Sequence, residues 1–555
     1  MSAERLIYLP LGGAGEIGMN TYVYGWGKRG EERLIVVDLG VTFPDMDSSP
    51  GVDLIMADIE WLAERRDRIE AVFITHAHED HVGAAGLLWE KLRVPIHARN
   101  FTAAIAQMKL DERGAPSSAL NVVGKWPEMV EAGPFRVGFV PISHSIPESS
   151  GLVIDTPAGR IVHSADFKID RTPVVGEVFD SDLWAEVARP GVRALMCDST
   201  NVFSAHEGRS EASLAEPLAQ LLKEAPGMVV ATTFASNVAR LLTLAQAARG
   251  AGRKVVLLGR AMRRMVETAT ATGLLHDFPA VVSPEDAQEL PRRELLILST
   301  GSQGERRAAS AQLAQGSYLG ISLKEGDTFL FSSRIIPGNE RPVLKVMNQL
   351  SEKGLDVIYD EIGTYHVSGH ANRPDLEAFH DLIGAPLVIP MHGEHRHLRE
   401  HARVAEARGR KAMVVTNGMM LDLTGDRPKV VEYVDAGRTY LDGTVLVGAM
   451  DGVVRDRIRM ALNGHVTVSL IIDENDQPLG DVWCEVEGLP GTGRSGDPLC
   501  EVLEADLTKH VARLGRRALR DEDKLAKDLS RMVRQIAQNE IGKKPEVRVV
   551  VSHLD

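Results

Sequence analysis

Cysteine is scarce in this chain: Cys197, Cys484 and Cys500 are all there is, an odd number with no zinc-type spacing between them. That excludes a disulfide framework and fits a reducing cytosol. No run of about 18 uncharged apolar residues occurs, so no membrane span is expected. The opening residues, Met1 to Ile7, lack a signal-peptide layout. A cytoplasmic location is therefore expected. Positive charge is also short. The formal net charge of -14 argues against an unselective nucleic-acid binder. It leaves room for a local basic groove, because net charge governs long-range behaviour rather than site chemistry.

Histidine, by contrast, is plentiful, with 18 residues and many in short clusters. The densest cluster lies in residues 71–92, where Ala-Val-Phe-Ile-Thr-His-Ala-His-Glu-Asp-His-Val is followed by Gly-Ala-Ala-Gly-Leu-Leu-Trp-Glu-Lys-Leu. Val72, Phe73 and Ile74 form a short apolar run of the kind a strand buried on both faces uses. From Val82 onward the apolar residues recur at helical spacing, so a helix follows. Between them sit His76, His78, Asp80 and His81. So many imidazoles beside a carboxylate are costly at a strand end unless something binds them. The first pair, two apart on extended backbone, points to one side. The second pair, where the helix begins, turns toward a neighbouring point. That geometry suits two metal ions close together, each with N and O ligands. A solvated His-rich turn is the competing reading.

At 555 residues the chain exceeds one core, and about three or four domains are expected. Leu6–Leu9, Thr21–Tyr24 and Leu34–Val37 read as strands. Gly13-Ala14-Gly15-Glu16-Ile17-Gly18 is a literal G-x-G-x-x-G, and Asp38 follows where a dinucleotide fingerprint would place its ribose acid. That fingerprint needs a helix after the glycines. Gly25, Gly27 and Gly30 interrupt a strand pattern instead, so the nicotinamide reading is rejected. Further on, Val137–Ile142 stops at Ser143-His144-Ser145. Gly151–Asp155 and Arg160–His163 read as a hairpin stopping at Ser164-Ala165-Asp166, and Ala194–Met196 stops at Cys197-Asp198. Buried strands thus end on Asp38, His76, His144, Asp166 and Asp198. Functional groups gathered at strand ends are what α/β architectures use for catalysis.

From about 208 to 365 a second α/β pattern appears, with its own parallel sheet. Then His366-Val367-Ser368-Gly369-His370 and Val388-Ile389-Pro390-Met391-His392-Gly393-Glu394 bring back strand-end histidines. The simplest topology is an insertion at 208–365 that divides a first domain into 1–207 and 366–450. A connector at 451–465, including Val453–Leu462, leads to a small α+β domain at 466–555. There Val466–Ile472, Asp481–Glu487 and Val547–Val551 read as strands. The basic amphipathic helix Ala518–Gln538 reads as a solvated face or subunit contact ahead of an RNA site.

Taken together, these motifs resemble the metallo-β-lactamase superfamily. Asp38 matches its first motif, His76-x-His78-x-Asp80-His81 its second, His144 its third and Asp166 its fourth. Asp198, His370 and His392 fit the three extra motifs of the β-CASP nucleases. Gly-Gly-Ala-Gly-Glu-Ile-Gly-Met-Asn, Cys-Asp-Ser-Thr-Asn, His-Val-Ser-Gly-His-Ala and Met-His-Gly-Glu resemble the bacterial ribonuclease J family over almost the whole chain. The resemblance implies an α/β fold: a metallo-β-lactamase αββα sandwich, an inserted α/β β-CASP domain and a small C-terminal α+β domain.

It also implies a site. His76, His78 and His144 would hold one ion, Asp80, His81 and His392 the other, and Asp166 would bridge them with a water. All-N/O ligation fits two Zn²⁺, and Mn²⁺ is compatible with the carboxylates. Asp38 would orient a ligand histidine from outside. His370 would donate a proton to the departing 3′ oxygen, with Asp198 orienting or charging it. His366, Val367, Ser368, Gly369 and His370 would line a pocket for an RNA phosphate. Phe234-Ala235-Ser236 and Ser332-Ser333-Arg334 are its expected partners. Asp45, Asp47 and Asp442 are acidic loop positions that in this family can hold a structural Ca²⁺, against the simpler reading of solvated turns.

The expected activity is a ribonuclease, 5′→3′ exonucleolytic from 5′-monophosphate ends and also endonucleolytic, in RNA maturation and decay. RNA is the expected partner, and by family likeness a homodimer or homotetramer, in an RNA-processing or ribosome-associated assembly. The alternatives are a small-molecule metallo-β-lactamase-fold hydrolase, a non-catalytic RNA-processing subunit and a DNA-directed relative.

Overall fold

Glu4–Gly12 and Thr21–Lys28 are continuous apolar runs, and they pair antiparallel with Tyr8 opposite Tyr24. Gly13–Gly18 loops between them and leads into strand rather than helix, so no dinucleotide turn forms there. Residues 4–359 and 363–554 of the chain are described by this computed structural model, so Met1–Ala3 of the N-terminal stretch fall outside it.

Two large sheets follow from the buried runs. One has eight strands in the order Lys429–Tyr433, Met419–Asp422, Glu4–Gly12, Thr21–Lys28, Arg33–Val37, Ile69–Phe73, Ile96–Ala98, Leu120–Val122. The other has seven and runs from the hairpin strands Val130–Ala132 and Phe135–Pro141 through Ser150–Thr156, Gly159–His163 and Val192–Asp198 to Leu387–Met391 and Lys411–Ala412. The sheets face each other across a core that includes Tyr24, Ile35 and Phe73 from the first and Phe139, Ile161 and Ile389 from the second. On the far side of the second sheet, Trp184, Leu376, Phe379 and Ala405 project from helices Ser181–Ala188, Arg373–Ile383 and His395–Ala407 onto Val153, Leu195 and Val388. Helices Ala85–Leu92 and Asn100–Asp111 pack together beside the first sheet. The result is α/β/β/α layering. Leu387–Met391 lies parallel to Val192–Asp198 with Met391 opposite Asp198, so the chain returns after residue 365 to the sheet it left.

The intervening segment forms a five-stranded parallel sheet in the order Lys254–Leu258, Leu295–Ser299, Val229–Thr232, Thr328–Phe331, Asp356–Tyr359. Its core is built from Val230, Val256, Ile297, Phe329 and Phe331. Helix Arg260–Ala271 adds to this sheet and escapes the sequence pattern because its buried residues, Met262, Val266, Thr268 and Ala269, are sparse among arginines.

One expectation needs correction. His366–His370 do not end a strand: residues 363–372 are turn and loop. The segment is the approach to helix Arg373–Ile383, fixed by a capping box between Asn372 and Asp375. The connector expected over Val453–Leu462 takes the form of a helix, Val453–Asn463, in which Val454 is the one buried side chain. Val454, Ile458 and Leu462 recur at helical spacing, but Ile458 is only half-buried and Leu462 is exposed.

Contact density divides the chain into one unit of Met1–Thr42 with Met56–Arg438, described above, and a second of Phe43–Ile55 with Thr439–Asp555. In the second, strands Trp483–Glu487, His465–Ile472 and Glu546–His553 form a sheet. Helices Leu499–Val511 and Glu522–Ile541 bury Leu503, Leu507, Leu529 and Val533 against Val466, Val468 and Leu470. The basic helix starts at Glu522, where the Asp521 side chain accepts from Lys524 N. Among the described residues, no helix is long and apolar enough to cross a membrane.

Candidate metal centre

Strand Ile69–Phe73 ends on the rim of the first sheet, and the chain runs on extended until helix Glu79–Val82 begins. This short path delivers His76, His78, Asp80 and His81 to one spot. His144 arrives from beyond Phe135–Pro141, Asp166 from beyond Gly159–His163, and His392 directly after Leu387–Met391. All seven converge in two sets.

In the first set, His76 Nε2 and His144 Nε2 lie 3.2 and 3.1 Å from His78 Nδ1, and Asp166 Oδ2 is 3.9 Å from both Nε2 atoms. In the second, His392 Nε2 is 3.1 Å and His81 Nε2 3.6 Å from Asp80 Oδ2, while His81 Nε2 is 3.2 Å from Asp166 Oδ2. Asp166 is common to both sets, and its Oδ1 is buried with no hydrogen-bond partner.

The outer nitrogens of His76, His81 and His144 are occupied. His144 Nδ1 donates to Gly369 O at 2.6 Å, and His81 Nδ1 to Asp38 Oδ2 at 2.7 Å. Thr75 Oγ1 donates to Asp38 Oδ2 at 2.9 Å and so receives its bond from His76 Nδ1, 3.0 Å away. Counting protons this way leaves Nε2 of His76 and His144 as lone pairs aimed at His78 Nδ1. Lone pairs gathered in a buried pocket repel one another unless a cation lies among them, so these residues fit a divalent ion. Two imidazoles and two carboxylates in the second set fit another.

Electrostatics point the same way. Burial holds His76 and His144 well below the usual imidazole range and His78 down to about 4. Burial would also lower His81 and His392, but nearby carboxylates, Asp166 foremost, raise both. Burial alone would raise Asp80 and Asp166, yet His81 and His392 keep them below the usual carboxylate range. A field that draws protons to this point also draws a divalent cation.

Beside the two sets stands a dyad. His370 Nδ1 is 2.8 Å from Asp198 Oδ2, and Asp198 Oδ1 accepts from Thr200 N at 2.9 Å and Thr200 Oγ1 at 2.7 Å. The His370 side chain is 22% exposed and that of Asp198 1%, so His370 faces the open side. Its ring lies 5.0 Å from that of His144 and 5.6 Å from that of His392. Backbone strain marks this rim too: Asp38, Ala165 and His392 are non-glycine residues at φ 64°, 51° and 51°.

The expected phosphate pocket is partly assembled. Arg240, fully buried, pairs with Glu211, donates to Ser332 O and Oγ at 2.6 and 2.9 Å, and stands 3.4 Å from His366 Nδ1. Burial, then Arg240, Arg334 and Lys168, hold His366 well below the usual imidazole range. The hydroxyls of Thr233 and Ser333 are buried without a partner. Phe234-Ala235-Ser236 forms the turn between strand Val229–Thr232 and helix Val238–Gly250. Val367 and Ser368 lie on the same loop as Gly369 and His370, and Ser368 Oγ accepts from His370 N at 3.1 Å.

Two of the acidic positions expected for calcium, Asp45 and Asp442, are engaged by groups of the chain itself. Asp45 Oδ1 caps its own turn, accepting from Asp47 N and Ser48 N, and Asp442 pairs with Arg457 Nη2 at 2.6 Å. Among the described residues, Asp45, Asp47 and Asp442 form no convergent ligand group.

Sequence reasoning missed Thr75, Thr200 and Asn20. Asn20 Nδ2 is 3.1 Å from His81 Nε2 and donates to Asp80 O at 3.0 Å. Each adjoins or belongs to a recognised motif, which was the available signal. It also missed Cys197, His380 and His401, buried behind the rim, where His380 Nε2 and His401 Nε2 are 2.9 Å apart and His401 Nδ1 is 2.9 Å from Ser199 Oγ.

Comparison with known proteins gives a match to the metallo-beta-lactamase superfamily at residues 15–201 and to the ribonuclease J beta-CASP domain at 226–350. Residues 354–415 match a Zn-dependent metallo-hydrolase RNA specificity domain, and 452–554 the ribonuclease J C-terminal domain. Ribonuclease J of Sinorhizobium meliloti is 38% identical over 550 residues, spanning 99% of this chain and 97% of that protein. Ribonuclease J of Thermus thermophilus is 35% identical over 482 residues, spanning 85% and 83%. A crystal structure of a protein of unknown function from Enterococcus faecalis V583 superposes with a TM-score of 0.52 over 76% of this chain and 100% of that one. At 16% identity it speaks for the fold alone.

Proposed function

The chain belongs to the ribonuclease J family of metal-dependent ribonucleases, and we propose on that premise that it hydrolyses RNA phosphodiester bonds with two divalent ions held at this centre. It acts 5′→3′ from 5′-monophosphate ends and also cuts internally, in RNA maturation and decay. Its catalytic domain is made in two parts, 1–207 and 366–450, around the insertion 208–365. The observation that carries this reading is the buried Asp166 carboxylate, shared by two sets of candidate ligands, with one oxygen that has no hydrogen bond.

His76, His78 and His144 would hold one ion and Asp80, His81 and His392 the other, with Asp166 between. Zn²⁺ suits the imidazole-rich set and Mn²⁺ is compatible with the carboxylates. Ions bound there supply charge stabilisation for the attacked phosphate and acidify water at the centre. Asp38 fixes the ring of His81. Asp198 accepts a hydrogen bond from His370 Nδ1–H, which leaves Nε2–H of the protonated ring to give its proton to the departing 3′ oxygen. Burial would lower the pKa of His370, but the Asp198 carboxylate raises it, favouring the protonated form the acid needs.

A 5′ phosphate suits the loop His366–His370 with Phe234–Ser236, Ser333 and Arg334. The unpartnered hydroxyls of Ser333 and Thr233 and the cations Arg240, Arg334 and Lys168 support an anion there.

The test is cleavage of matched RNAs bearing a 5′-monophosphate, 5′-triphosphate or 5′-hydroxyl, with Asp80→Ala as the comparison. Release of mononucleotides chiefly from the monophosphate RNA, abolished in a folded Asp80→Ala chain, is expected. Near-normal turnover by that variant would refute the two-ion mechanism, and thioester hydrolysis without nucleotide release would favour the small-molecule hydrolase instead.

A further inference from the structure

We propose that Thr200 is a positioning residue that locks His392 in the tautomer able to hold the second ion and ties that ligand to the Asp198–His370 dyad. The proposal rests on the two-ion reading above and deepens it.

Thr200 Oγ1 lies 2.7 Å from Asp198 Oδ1, 2.7 Å from His392 Nδ1 and 3.1 Å from His392 O. A hydroxyl has one proton to give. Asp198 Oδ1 and the His392 carbonyl are acceptors, so that proton goes to one of them. Toward His392 Nδ1 the hydroxyl can only accept, and Nδ1 must carry the ring proton. In the neutral ring that an ion requires, His392 Nε2 is then the lone pair, and it is the atom 3.1 Å from Asp80 Oδ2 in the second ligand set.

The Asp198 carboxylate is filled from the same source. Its Oδ1 takes both Thr200 N and Thr200 Oγ1, which leaves Oδ2 for His370 Nδ1 at 2.8 Å. One side chain thus sets the direction of two imidazoles on opposite flanks of Asp198.

The device occurs twice. Thr75 N and Oγ1 both donate to Asp38, at 2.8 and 2.9 Å, and Thr75 Oγ1 accepts from His76 Nδ1. Each time a threonine hydroxyl stands between a strand-end aspartate and a ligand histidine. The adjoining serine takes no part: Ser199 Oγ turns away to His401 Nδ1 at 2.9 Å.

The test strips the full-length protein with a chelator and titrates Zn²⁺ back against a chromophoric competitor. The parent, Thr200→Val and Thr200→Ser are compared. The parent is expected to take up two ions at this centre. Thr200→Val should bind the first as the parent does and the second at least about tenfold more weakly, and Thr200→Ser should regain the parent's affinity. Should the valine chain fail to fold, Thr200→Ala against Thr200→Ser makes the same comparison. Unchanged second-ion affinity in the variants lacking the hydroxyl would overturn the lock alone. So would a serine variant as weak as they are. A parent that takes up fewer than two ions would overturn the lock together with the reading beneath it.

Discussion

His144 Nδ1 donates to the carbonyl oxygen of Gly369 across 225 residues of chain, at 2.6 Å. The loop that carries His370 is thereby fastened to a ring of the first ligand set. A Cβ added at Gly369 would stand 2.7 Å from Ser145 Oγ and 3.0 Å from His144 Cε1. Gly369→Ala is therefore expected to push the loop off His144 and lower kcat on RNA at least about tenfold, as loss of an outer ligand partner does. Steady-state cleavage beside a thermal melt checks it, since the melting temperature should move little.

Asp38→Asn isolates the outer support of His81. Asparagine tolerates the positive φ of this position, so the backbone can stay. Its amide cannot replace a carboxylate that accepts from His81 Nδ1, Thr75 N and Thr75 Oγ1 together. Metal affinity should fall by about 10- to 100-fold. Metal content after dialysis against a weak chelator measures it.

His370→Ala should remove the proton donor and spare the ligand sets. A loss of about 10²–10⁴ in rate on RNA is expected. An activated aryl phosphodiester, whose leaving group needs no proton, should lose far less. Equal losses on both substrates would mean that His370 supports the centre rather than acting as its acid.

Acid should unfold the chain through His380 and His401. Burial holds His380 down to about 2 and His401 to about 4 in the folded protein. Unfolded, each titrates near 6.5. Protons therefore bind the unfolded chain preferentially below that value, and stability falls as pH drops toward the folded pKa values. Between pH 6.5 and 5 the loss is about 2 kcal/mol per imidazole. Denaturant melts at pH 7 and pH 5 should reveal it, and His380→Gln should shrink the difference between them.

The convergence of the candidate ligand residues was legible because most of them arrive in local motifs at the ends of apolar strands. His76, His78, Asp80 and His81 need only one strand and one turn to meet. Their outer partners were not legible. Gly369 contributes a backbone carbonyl, which no residue type advertises, and Thr200 meets His392 from 192 residues away. The partner of Asp442 was not legible either, since nothing in the sequence couples it to Arg457. In the fold, the regular strands and the parallel insertion followed from apolar runs. Helices Arg260–Ala271 and Val453–Asn463 did not, because few of their residues face a core.

The strand order has a consequence for synthesis. Leu387–Met391 completes its sheet beside Val192–Asp198, and only then does His392 meet Asp80. A nascent chain thus lacks one member of the second set of candidate ligands until translation has passed His392. A chain that stops within the insertion lacks both His370 and His392.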